Sequence, residues 1–177
     1  MRLPLPLLIL PCMLWLQPAK AGTQVLGVEI GVTTSEELSN SLSRSTDLSE
    51  RGINKYSGGK MLASDGSAYQ IEGLTEVLYI FDSTGKLAGV IMEMDKERFA
   101  SVYQYLQSKY KVRATRLPYV GDQFARFEPA DAIIELDAPH LSFTMQLRYI
   151  RNDLSQKYKT DNAAERAAKK KAESAQF

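Results

Sequence analysis

One cysteine (Cys12), one histidine (His140) and one tryptophan (Trp15) are all that 177 residues contain of these three types. Each scarcity removes chemistry. A lone cysteine forms no intramolecular disulfide, and a lone histidine leaves a zinc site dependent on carboxylates, for which no suitable spacing stands out. No G-x-S-x-G elbow frames a serine nucleophile. Gly58-Gly59-Lys60 lacks the spacing of a phosphate loop, and Asp65-Gly66-Ser67 lacks the further ligands of a calcium loop. No excess of either charge sign is present: the net charge of +1 gives no electrostatic argument for nucleic acid. No cofactor motif is present, and the expectation is a chain that uses none.

Long apolar runs are also scarce. The main one, residues 3–16, follows Arg2, is broken by Pro4, Pro6 and Pro11, and ends before Ala19-Lys20-Ala21. A short positive start, an apolar stretch and a small-x-small site make a signal peptide over residues 1–21, too short and too broken for a membrane span. Ile9-Leu10-Pro11-Cys12 is a poor lipidation motif, because Pro11 stands where a small residue belongs. Cleavage near Ala21 sends the mature protein to the periplasm or outside the cell. It also removes Cys12, Trp15, Arg2 and Lys20 with no acid, so the net charge becomes −1 and 156 residues remain. A domain of that size without disulfides depends on its apolar core.

The mature chain reads as one α+β domain over residues 22–152, with a polar tail over 153–177. Residues 75–110 organise it. Val77, Tyr79 and Phe81 alternate with Leu78 and Ile80, giving a strand apolar on both faces. Asp82-Ser83-Thr84-Gly85-Lys86 is turn chemistry, and residues 87–94 return as the partner strand. Asp95 then caps a helix whose apolar stripe is Phe99, Val102, Leu106 and Tyr110. Upstream, residues 24–30 read as a short strand, and Thr34-Ser35-Glu36-Glu37 is a capping box opening a helix with Leu38 and Leu42 on one side. Residues 43–59 read as loop. Residues 60–64 and 68–72 read as a hairpin turned at Asp65-Gly66. Downstream, residues 123–128 and 132–137 are strands. A third strand alternates Leu141, Phe143, Met145, Leu147 and Tyr149 with polar residues.

The expected architecture is an antiparallel sheet with two main helices on one face. Leu26-Gly27-Val28 and Ala88-Gly89-Val90, about 62 residues apart, suggest a tandem β-α-β-β-β repeat with halves 22–85 and 86–152. Residues 157–177 have little apolar content beyond alanine, and Lys169-Lys170-Lys171 form a weak cationic patch, so the tail reads as disordered or helical and outside the domain. Phe177 ends a segment that does not alternate, which gives no support to a membrane barrel.

Val28-Glu29-Ile30-Gly31-Val32-Thr33-Thr34-Ser35-Glu36-Glu37-Leu38 resembles the strand-to-helix opening of small periplasmic domains of the BamE-like and beta-lactamase-inhibitor-like type. In those, a Gly-x-Thr/Ser stretch opens a helical segment packed on an antiparallel sheet. The resemblance implies a binding module for envelope assembly or for inhibition of an enzyme, and it carries over no functional residue.

Three functional classes follow. The first is a non-enzymatic module binding a protein or other envelope macromolecule, with Tyr105, Tyr119 and His140 as contact candidates. The second is a carrier or sensor of a small apolar or lipid ligand, held in a cavity between helix and sheet lined by Phe99, Leu106, Phe143 and Met145. The third is a hydrolase built on His140, a serine, or the acids Glu93, Asp95 and Glu97. The last two acids are already explained by helix capping and dipole complementation. N-terminal sequencing of the exported protein is expected to begin Gly22-Thr23-Gln24, whereas a start at a modified Cys12 marks lipidation instead.

Overall fold

The structure, a computed structural model, describes residues 22–174; the leader, Cys12, Trp15 and Phe177 lie outside the described residues. The chain opens with a hairpin of two short strands, β1 (Gln24–Val25) and β2 (Val28–Glu29). The segment expected as one strand is thus folded back on itself at Leu26-Gly27. Both residues have positive φ, 50° and 78°, as a tight two-residue hairpin turn demands. α1 (Ser35–Leu42) follows, and its capping box is fully formed: the Thr34 hydroxyl accepts from the Glu37 amide and Glu37 accepts from the Thr34 amide.

A single eight-stranded antiparallel sheet carries the rest. Its strands are β3 (Ser49–Ile53), β4 (Gly58–Asp65), β5 (Leu74–Asp82), β6 (Leu87–Asp95), β7 (Val112–Arg116), β8 (Gln123–Phe127), β9 (Ala132–Ala138) and β10 (Thr144–Arg151). Their spatial order is β3-β4-β5-β6-β10-β9-β8-β7, two four-stranded meanders joined where β6 meets β10. α2 (Phe99–Lys109) links the meanders, and α3 (Asn152–Ser174) closes the described chain.

Strand alternation sends successive side chains to opposite faces. Val77, Tyr79 and Phe81 of β5, Met92 and Met94 of β6 and Leu147 of β10 share one buried cluster with Leu38, Phe99 and Leu106. Tyr103 locks α2 down, lying between Phe99 and the β8 residue Phe127 at ring separations of 6.3 and 6.0 Å. On the other face Ile80, Leu78, Ile91 and Ile150 meet Leu154 of α3.

Several expectations need correction. Residues 157 onward are not a loose tail outside the domain. They continue an ordered helix that seats Leu154 on the sheet, stacks Tyr158 edge-on against Tyr56 at 5.0 Å and pairs Glu165 with Lys55. Lys169, Lys170 and Lys171 stand exposed in its last turns. Asp65-Gly66 does not turn a hairpin. Asp65 caps a short 3₁₀ turn (Gly66–Ala68), and the strand expected over 68–72 is absent. Residues 49–53 form an edge strand with every side chain exposed, which leaves no apolar period to read. The expected β-α-β-β-β division does not match the strand order, since Gly27 sits in a hairpin outside the sheet and Gly89 lies within β6. Asp95 makes no side-chain cap bond, and a 3₁₀ turn (Lys96–Arg98) intervenes before α2.

The β5–β6 turn is anchored by Asp82. Its carboxylate accepts from the Thr84 hydroxyl at 2.6 Å and the Lys86 amide at 3.1 Å, and it pairs with Arg151 at 2.8 Å. Burial pushes this carboxyl up, but the bonds from Thr84, Arg151 and the Lys86 amide outweigh it and hold the pKa at about 2. The folded value lies below the unfolded one, so the stabilisation is present above about pH 4 and is lost as pH falls towards 2. Asp82→Asn is therefore expected to lower stability at neutral pH by about 1–2 kcal/mol, with the gap to the wild type closing below about pH 4 in urea titrations.

Candidate functional site

Two features of the described residues have the geometry of binding surfaces. The first is one end of the sheet. β6 stops at Asp95 and β9 at Ala138, so the strand pairing of β10 begins at the Thr144–Asp95 pair. Leu141 and Phe143 continue the alternation of β10 but precede its paired residues. Nothing covers them, and they are 93% and 96% exposed. The loop between β7 and β8 reaches the same end, with Tyr119 fully exposed and Val120 at 67%.

Hydrogen bonds tie these loops to each other and to the root of α2. The His140 amide donates to Asp122 at 2.8 Å. The Lys96 amide donates to the Phe143 carbonyl at 2.9 Å, and its ammonium donates to the carbonyls of Pro139 and His140. The apolar side chains are therefore presented from braced loops, not from free ones.

The second feature is a groove of about 580 Å³ on the face that carries α2. Met92, Met94, Leu147 and Tyr149 form its floor, the β1–β2 hairpin one wall and α2 the other. Arg98 and Tyr105 stand on the α2 side. Burial, with the neighbouring Tyr110 and Tyr105 adding to it, pushes the Tyr149 hydroxyl far above its ordinary range, so it stays protonated.

The opposite face holds a smaller groove of about 330 Å³ beneath α3. Beside it runs a charged row: Arg126 bonds Glu135 at 3.0 Å through Nε, and Arg148 bonds Asp137 at 2.7 Å. These cations and carboxylates pair with one another, although the Nε of Arg148 is buried with no hydrogen-bond partner. Ser64, Tyr69 and Tyr79 form a chain of hydroxyls at 2.7 and 2.6 Å inside the larger core.

The structure separates residues that the sequence reading grouped. Tyr119 and His140 lie on two loops linked by the His140–Asp122 bond, but Tyr105 belongs to the groove wall. Phe99, Leu106 and Met145 do not line a cavity. They are buried in the filled core, while Phe143 stands in solvent. α2 lies against β8 and β9, with Tyr103 on Phe127, and the groove opens between α2 and the β1–β2 hairpin. Glu93, Asp95 and Glu97 are spread along the end of β6 and the turn after it. Among the described residues, no group of three or more His, Cys, Asp or Glu is placed to hold a metal, and no helix is long and apolar enough to cross a membrane.

Leu141, Val120 and Arg98 escaped the sequence reading. The one available signal was the apolar loop run Leu117-Pro118-Tyr119-Val120, too apolar for a solvated connection. No family model, no curated protein and no solved structure matches the chain. Asp122→Ala is expected to speed hydrogen exchange at the His140 amide by up to about tenfold, the worth of one net hydrogen bond, with Met145 unchanged.

Proposed function

We propose that the mature chain is an exported, non-enzymatic binding module that docks a protein partner through the loop end of its sheet. The observation carrying this reading is the joint exposure of Tyr119, Leu141 and Phe143 on loops braced by the His140–Asp122 and Lys96–Phe143 bonds. Large apolar side chains gathered at one exposed place mark interaction surfaces, and aromatic anchors on preorganised loops supply most of the binding energy in such contacts.

Export is supported by the leader and by the start of the folded domain. The Gly22 nitrogen lies 2.9 Å from a Glu29 carboxylate oxygen, and Asp131 caps the Thr23 amide. In a chain cut after Ala21 that nitrogen is an ammonium, so the hydrogen bond becomes an ion pair. The capping-box helix beside an antiparallel sheet supports the BamE-like and beta-lactamase-inhibitor-like reading of residues 28–38. A helix before each four-strand meander supports a duplicated unit of one helix and four strands.

The test is a crosslinked pull-down from envelope extract with three baits: the mature protein, a Tyr119→Ser/Leu141→Ser/Phe143→Ser variant, and a truncation after Lys159. One dominant protein is expected with the first and third baits, with recovery by the triple variant reduced at least about tenfold, the scale of losing hot-spot side chains. Equal capture by the triple variant overturns the reading.

A further inference from the structure

The start of the folded domain is held between two carboxylates. The Gly22 nitrogen donates to a Glu29 carboxylate oxygen at 2.9 Å. The next residue is tied to the second acid: Asp131 accepts from the Thr23 amide at 2.7 Å through one oxygen and from the Thr23 hydroxyl through the other. Thr23 is only 5% exposed, so this first segment is seated in the fold. Both acids also lie against Gly22 itself. A Cβ there would stand 2.7 Å from Glu29 Oε1 and 3.1 Å from Asp131 Oδ2.

Among the described residues, no cationic side chain pairs with either acid. Arg151, which packs beside Gly31, is taken by Asp82 and Asp153, and Arg113 is taken by Glu128. Neighbouring carboxylates without a cation between them are unfavourable. One positive group can be placed there by the chain itself. Hydrolysis of the peptide bond between Ala21 and Gly22 leaves the hydroxyl of water on the Ala21 carbonyl. Gly22 then carries a primary amine, which takes up a proton at neutral pH.

We infer that Glu29 and Asp131 form a built acceptor site for the α-ammonium of Gly22, and that removal of the leader completes and stabilises the fold. The inference rests on the export reading of residues 1–21 and goes beyond it, because cleavage becomes a step in folding as well as in transport. A peptide N–H has one proton to donate. An ammonium has three and a full charge, enough to serve both carboxylates. The effect spreads through two further bonds: the Ile30 amide donates to the Thr23 carbonyl at 3.0 Å, and the Asn152 amide donates to the Asp131 carbonyl at 3.1 Å. Capture of Gly22 thus ties the β1–β2 hairpin, one wall of the α2-face groove, to the β8–β9 turn and the root of α3.

The charges facing the ammonium are Glu29 from β2 and Asp131 from the β8–β9 turn, while Arg151 and Asp153 at the root of α3 pair with each other. Two carboxylates raise the folded pKa of the amine above its unfolded value of about 7.7–8. The stabilisation is therefore full below about pH 7 and is lost as pH rises through the folded value.

The test compares the mature chain, released from a fusion so that it starts at Gly22, with the same chain carrying residues 19–21 ahead of it. At neutral pH the free start is expected to melt about 2–4 °C higher, the shift given by an about fivefold change in the folding equilibrium of a chain this size. The gap is expected to close by about pH 10, where the amine is neutral. It is also expected to shrink by about half or more when Glu29→Gln is placed in both chains, a cycle that cancels the cost of the substitution itself. Titration of the Gly22 α-protons by NMR is expected to place the amine well above its ordinary range.

Equal melting of the two chains at neutral pH overturns the inference. So does a gap that survives undiminished at about pH 10 or with Glu29→Gln, or an amine that titrates at its ordinary value. Both chains are made in vitro, so N-terminal sequencing of the exported protein tests where cleavage falls, and the melting comparison tests whether a free Gly22 is captured. The two readings fail separately.

Discussion

The pairing of β6 with β10 is the contact on which the rest of the molecule depends. Seven register pairs run from Thr144–Asp95 to Ile150–Gly89 and join two meanders that would otherwise be separate four-stranded sheets. Closing so long a loop is costly in chain entropy, and the burial of Val90, Met92 and Met94 beside Met145, Leu147 and Tyr149 offsets it. The fit is close at Gly89. A Cβ on Gly89 would come within 2.9 Å of Ile150 and 3.2 Å of the Tyr149 carbonyl oxygen.

Both candidate surfaces hang from that junction. Lys96 follows β6 directly and Phe143 precedes β10, so the bond between them exists only because the two strands are neighbours. The groove floor is two residues from β6 and two from β10. On the far side, Ile91 and Ile150 from the same pair provide the seat for α3. The outer strands have the opposite character. β3 and β7 leave nearly every side chain exposed and carry Glu50, Arg51, Arg113 and Arg116, charges that discourage pairing with a further strand.

What could be read from residues alone was whatever depends on near neighbours. The capping box at Thr34 and Glu37 needs only four residues, and it is present as expected. The α2 stripe places Phe99 and Leu106 in the core because 3.6-residue periodicity acts within one helix. The doubly apolar β5 is covered on both faces. Misreadings arose where local signals were silent or ambiguous. An exposed edge strand such as β3 has no period to detect. Leu141 and Phe143 carry the alternation of a core strand, but alternation cannot say where the neighbouring strands stop. Residues 153–174 have few apolar side chains, and Leu154 with Tyr158 suffices because Tyr56 and the sheet lie opposite.

The candidate surfaces were the least legible part, for the same reason. Tyr119 and His140 were marked by residue type, but the link between their two loops is the bond from the His140 amide to Asp122. Arg98 looked like one more charge near a helix start. Its pairing with Glu72 joins the turn before β5 to the root of α2, a contact between segments 26 residues apart. The sequence by itself determined the α+β class, the antiparallel pairing and the faces of α1, α2 and β5, since these follow from periodicity, capping and short connections. Only the tertiary structure decided which strands became neighbours, which apolar residues were left uncovered and where the groove opened, because those outcomes rest on contacts between segments distant in the chain.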